Sequence, residues 1–99
     1  MITRRPSMDG ITATKSMRRV LLVLLTDAGN ISGFTIARTA GMGSGSVYVC
    51  LAQLEARSWV TGEFANGPYP RRRFYRLTPD GWTYAHMLLD LKPAEVRRG

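Results

Sequence analysis

The sequence predicts an α+β, mostly helical domain: a three-helix core, a two-stranded β wing and a C-terminal helix. Three observations carry this. Apolar residues recur at three- and four-residue spacing through three segments that end near Arg57. The period drops toward two residues between Val60 and Leu77. Thr78-Pro79-Asp80 then restarts a helical pattern.

Met1 to Ala13 has no apolar period and reads as a flexible basic arm carrying Arg4 and Arg5. From Thr14 onward, Met17, Val20, Leu21, Leu24 and Leu25 share one helical face until Ala28-Gly29-Asn30 ends the run. Leu22 and Val23 make that helix apolar almost all round, so part of it is expected to meet a second subunit. Ile31 forms a short extended step, and Ser32 caps a second helix through Phe34, Ile36, Ala37 and Ala40. Gly41 supplies a left-handed turn, Met42 plugs the core there, and Ser44 is expected to cap the third helix. Val47, Leu51 and Leu54 form the buried face of that helix, while Gly45, Ser46, Val49 and Gln53 lie on the other.

Val60 to Phe64 and Arg72 to Leu77 read as two strands joined by Asn66-Gly67-Pro68-Tyr69-Pro70. Strand alternation sends Tyr75 and Leu77 inward and places Arg72, Phe74 and Arg76 on the opposite face. The last helix opens with a capping hydroxyl, a first-turn proline and an acid at the positive dipole end, and runs to about Leu91. Trp82, Tyr84, Met87, Leu88 and Leu91 give it more apolar surface than one docking face needs, which again points to a subunit interface. The expected organisation is an arm (1–13), one domain (14–91) and a short basic tail (92–99).

Composition narrows the function. Ninety-nine residues with 44% hydrophobic content suit one compact core. The formal net charge is +7, and Arg supplies all the cations except Lys15 and Lys92. Guanidinium groups pair bidentately with phosphates and guanine edges, so the excess favours nucleic acid over an acidic membrane. The only long apolar run, Val20 to Leu25, is far short of the roughly 20 residues of a membrane helix. Its basic flank imitates a secretory signal, yet no small-residue cleavage site follows. The single cysteine, Cys50, fits a reducing, cytoplasmic setting.

Helix, tight turn, helix and hairpin make a winged helix-turn-helix. The third helix suits the major groove of double-stranded DNA. Its small first turn allows close approach, the Ser44 and Ser46 hydroxyls can bond phosphates or base edges, Val49 can meet a thymine methyl and Gln53 can pair with adenine. Arg71, Arg72, Arg73 and Arg76 on the hairpin are placed to grip phosphates. An enzyme is not expected: Cys50 and His86 lack matching partners, Cys50 reads as a small core residue and His86 as a helix-surface or interface residue. The glycines of Gly41-Met42-Gly43-Ser44-Gly45-Ser46 follow a helix and lack the last Gly of a dinucleotide fingerprint, so no cofactor is implied.

Ser44-Gly45-Ser46-Val47-Tyr48 with Leu51, Leu54 and Glu55, the run Pro70-Arg71-Arg72-Arg73-Phe74-Tyr75-Arg76-Leu77-Thr78-Pro79-Asp80-Gly81, and the Gly33-Phe34 pair together resemble the PadR family of regulators over about Lys15 to Leu88. The resemblance implies a dimeric DNA-binding regulator, with Tyr48 near the DNA backbone and Tyr75 and Leu77 packing the wing on the core. Two departures stand out: the chain has one terminal helix where many PadR relatives continue into a longer helical region, and Tyr69-Pro70 replaces a Gly-rich wing tip. The expected function is a sequence-specific repressor, homodimeric through its first and last helices. An architectural factor of a mobile element and a winged-helix protein-interaction module are the alternatives.

Overall fold

A computed structural model describes residues 11–27, 30–67 and 72–89. Its element order is α1 (Lys15–Thr26), β1 (Ile31–Ser32), α2 (Gly33–Ala40), α3 (Ser44–Ala56), β2 (Val60–Phe64), β3 (Arg73–Leu77) and α4 (Pro79–Leu89). The expected α+β, mainly helical architecture is present. The sheet, however, has three antiparallel strands in the order β1-β3-β2, because the Ile31 step pairs with the wing: Ile31 lies opposite Tyr75 and Ser32 opposite Phe74. The wing is therefore clamped to the start of α2 along its central strand. The Arg4 and Arg5 arm, Ala28-Gly29, the Pro68 to Arg71 stretch and the tail with Leu91 fall outside the described residues.

Local signals explain the element starts. The Thr14 hydroxyl accepts the Met17 amide at 3.1 Å, and the Ser32 hydroxyl accepts that of Thr35 at 3.1 Å. At the end of α2, Gly41 adopts φ 68° and ψ 39°, its amide reaches the Arg38 carbonyl at 3.2 Å, and the Met42 amide reaches that of Ala37 at 2.9 Å. This is the Schellman arrangement, and a side chain at position 41 would be strained by the positive φ.

The core joins Met17, Val20, Leu21 and Leu24 of α1 to Ile36 of α2, Val47, Leu51 and Leu54 of α3, and Trp59 beyond it. Ile11 also belongs to it, at 6% exposure. The packed domain thus begins at least three residues before the boundary expected at Thr14, since one apolar residue without a periodic neighbour leaves no trace in the pattern. Leu22 remains 44% exposed on the outer side of α1, whereas Val23 is buried.

Trp59 ties the two halves together. It is fully buried, and its carbonyl accepts the Thr78 amide at 2.9 Å and the Thr78 hydroxyl at 3.2 Å. The same Thr78 oxygen accepts the Gly81 amide at 2.9 Å, capping α4 as expected. Gly81 passes directly over that carbonyl: a Cβ there would lie 2.7 Å from the carbonyl carbon and closer still to the oxygen.

Gly81→Ala is expected to destabilise the domain by about 2–3 kcal/mol through this backbone clash. Alanine is the better helix former by about 1 kcal/mol, but that gain is smaller than the steric cost. Thermal unfolding followed by circular dichroism checks this, with a drop of roughly 4–8 °C per kcal/mol for a domain of this size.

Candidate nucleic-acid interface

α3 divides cleanly into two faces. Val47, Cys50, Leu51 and Leu54 are buried, while Ser44, Gly45, Ser46, Val49 and Gln53 are exposed. Burial pushes the Cys50 thiol above its ordinary value, which disfavours a reactive thiolate.

The start of α3 corrects one expectation. Gly43, at φ −69° and ψ 146°, is the N-cap and makes no side-chain cap bond; Ser44 is the first helical residue, not the cap. The turn at Gly41-Met42 delivers the chain to Gly43 already extended, so helical geometry starts at the next residue. The first-turn amides of α3 consequently have no side-chain cap, the arrangement that suits an anion.

Two depressions flank the exposed ridge. On one side Thr12, Thr14 and Ser16 face Ser46, Val49 and Gln53 across a groove of about 460 Å³. On the other, Phe34, Tyr48, Phe64, Arg72 and Tyr75 line a cleft of about 410 Å³ between α2, α3 and the wing. Tyr48 lies over the start of α2, and a Cβ at Gly33 would come within 2.6 Å of its ring. Position 33 must stay without a side chain for Tyr48 to occupy that place.

The wing arginines separate instead of forming one cluster. Arg73 shares the inner face with Tyr75, pairs with Glu55 of α3, and donates to the Gly62 carbonyl at 3.1 Å. It crosses the sheet because Gly62 leaves room: a Cβ at 62 would lie 2.8 Å from the Arg73 Nε. Arg72 was expected on the face of Phe74 and Arg76, yet its guanidinium lies 5.1 Å from the Phe34 ring centroid. It precedes the first residue of β3, and the β1 pairing brings α2 within its reach. Arg76 sits elsewhere, with Thr61, Pro79 and Trp82. Arg71 lies outside the described residues.

The other chemistry-bearing residues are structural in placement. His86 is buried at 6% exposure, which sets aside the helix-surface alternative of its expected helix-surface or interface position. Its Nδ1 donates to the Trp82 carbonyl at 2.7 Å and its ring packs on Trp82 at 3.8 Å, which shields it. Among the described residues no group of three or more His, Cys, Asp or Glu side chains comes together. No helix there is long and apolar enough to cross a membrane. Trp82 and Met87 of α4 remain 42% and 60% exposed, while Tyr84 packs on Trp59 at 5.6 Å.

Sequence reasoning missed the Arg73–Glu55 pair and the contact of Arg72 with Phe34. The parity of Arg73 with Tyr75 and Leu77 was the available signal for the first. No signal marked the second, since Phe34 and Arg72 meet only through the fold.

Comparison with known proteins agrees with this geometry. Residues 21–86 match the model of the transcriptional regulator PadR-like family. A PadR family transcription regulator from Clostridium difficile R20291 superposes with a TM-score of 0.62 at 18% identity, covering 75% of this chain and 83% of that one. One from Eggerthella lenta DSM 2243 gives 0.63 at 23% identity, covering 75% and 73%. A MarR family transcriptional regulator from Silicibacter pomeroyi DSS-3 gives 0.59 at 25% identity, covering 86% of this chain and 55% of that one. No curated protein matches. The chain belongs to the PadR-like family of transcriptional regulators and has the winged-helix fold of PadR and MarR proteins.

Tyr75 provides a pH test of how the wing packs. Burial raises its phenol above the ordinary value of 10.0, against the lowering effect of Arg73 and with smaller upward pushes from Glu55 and Tyr48. Because the folded value exceeds the unfolded one, the neutral phenol's contribution is intact below pH 10.0 and is lost as pH rises through the folded value. Denaturant unfolding at increasing alkaline pH is expected to show stability falling more steeply for the wild type than for Tyr75→Phe; parallel curves would place the phenol in a solvated setting.

Proposed function

We propose that this member of the PadR-like family is a dimeric, sequence-specific double-stranded DNA-binding repressor that reads the major groove with α3. The observation that carries the reading is the split of that helix: its apolar side is wholly in the core, and its small first turn, Val49 and Gln53 face solvent. A helix held from behind and presented with a small, uncapped N-terminus fits the groove, where its amides meet phosphate and its side chains meet base edges. Ser44, Gly45 and Ser46 bring the backbone close, Ser46 and Gln53 bond base edges, and Val49 contacts a thymine methyl. Tyr48 lies at the side of the ridge, toward the strand backbone.

Arg72, with Arg71 beside it in sequence, supplies the wing's grip on phosphate. Arg73 instead positions the wing through Glu55, and Arg76 lies apart from the interface. The net charge of +7 supports attraction to the polyanion. Leu22 of α1 with Trp82 and Met87 of α4 are the apolar surface through which two copies associate. A twofold pair then sets its α3 helices in successive major grooves about 34 Å apart, over a palindromic site. Occupying such a site at a promoter in the cytoplasm blocks transcription.

The test is a binding titration against the chain's own upstream region and a random duplex of equal length, over a range of salt. Preference for the upstream duplex by a dimer is expected, and absence of binding to either at low salt would remove the reading. Ser46→Ala and Gln53→Ala should alter which sequence is preferred, each mismatch-like change shifting discrimination by about 1–3 kcal/mol. Arg72→Gln should flatten the logarithmic salt slope by about 0.9 for each phosphate left without its guanidinium, while Arg76→Gln leaves the slope unchanged.

A further inference from the structure

Phe34 is 48% exposed on α2, an unusual place for a large ring at the edge of a basic surface. Arg38, one turn later on the same helix, brings its guanidinium carbon within 5.8 Å of the ring centroid, and Arg72 from the wing comes within 5.1 Å. Two cations from two different elements therefore share one ring. Among the described residues neither has an acidic partner: the ion pair there joins Arg73 to Glu55. The cleft beside Phe34 and Arg72 is lined also by Ser32, Tyr48, Phe64, Arg73 and Tyr75, with no carboxylate among its lining residues.

Both guanidinium groups lie within 5.8 Å of one ring centroid with no carboxylate paired to either among the described residues, and an anion placed between like charges lowers their repulsion. Each guanidinium is drawn to the ring of Phe34, and its planar donors match phosphate oxygens. We infer that Phe34, Arg38 and Arg72 form one seat for a DNA backbone phosphodiester, which bridges α2 and the wing while the adjoining deoxyribose packs against the ring. This rests on the DNA-binding reading above and extends it from Arg72 of the wing to Phe34 and Arg38 of α2. The location fits the role, because the cleft borders the exposed ridge of α3, where one strand of a groove occupied by that helix runs.

Phe34 is a positioning residue here, so its test needs a readout that folding alone does not move. Fluorescence anisotropy on the upstream and random duplexes, at several salt concentrations, compares Arg38→Gln, Arg72→Gln, their double variant, Phe34→Ala and Phe34→Tyr. Each arginine variant is expected to weaken both duplexes by the same factor. The double variant should flatten the salt slope by about one unit per subunit, as for a single shared phosphate. Phe34→Ala should weaken binding although it removes no charge, and Phe34→Tyr should restore it. Wild-type affinity and slope in Arg38→Gln, a double-variant slope loss of about two units per subunit, or an altered base preference in Phe34→Ala would each overturn the shared seat while leaving the DNA reading intact. If the wild type binds neither duplex, the failure lies with the DNA reading itself.

Discussion

Trp59 stands at the point where the helical half of the chain turns into the wing, and its carbonyl is the acceptor on which the return from the wing is hung. Thr78 bonds that carbonyl through both its amide and its hydroxyl, and Gly81 lies against it with no side chain in the way. Ser58, just before, takes a φ of 61°, a conformation that costs a non-glycine residue roughly 1–3 kcal/mol and persists only where its surroundings hold it. The single Thr78 hydroxyl proton is shared between the Trp59 carbonyl and the carbonyl of Ser58, the shorter contact being to Ser58 at 2.8 Å. The exit of α3, the entry of β2 and the start of α4 are thereby locked at one place. The wing cannot swing relative to α3 without breaking this junction.

That rigidity gives the candidate interface its form. A groove-reading helix works when its rear is held and its front is bare, and α3 meets both conditions. Its rear is fixed by α1, α2 and the tryptophan, while its uncapped first turn projects beyond them. Arg73 commits its charge to Glu55 and so keeps the wing seated. Arg72 is left to α2 and its aromatic residue. The three described arginines of the hairpin thus have three separate destinations.

Much of this was legible in the sequence, for identifiable reasons. The helix faces, the Ser32 and Thr78 caps, the Gly41 turn and the bounds of β2 all arise from local chemistry within a few residues, which periodicity and capping rules capture. Gly43 and Ser44 are both acceptable N-caps, and only the geometry of the preceding turn decides between them. The burial of Ile11 and the Arg73–Glu55 pair depend on contacts between distant segments. Eighteen positions separate Arg73 from Glu55, so no periodic pattern links them. The site was accordingly readable on α3, where one helix carries it, and less so on the wing, where side-chain destinations follow from the sheet order.

Whether the bare face of α3 and its flanks meet duplex DNA is tested most directly by titrating a preferred duplex into isotopically labelled protein and following amide resonances residue by residue. The largest changes are expected on Gly43 to Gln53 and around Phe34 and Arg72, with Trp82 and Met87 of α4 little affected. Changes centred on α4, with α3 silent, would contradict the proposed interface and make the exposed surface of α4 the site of binding.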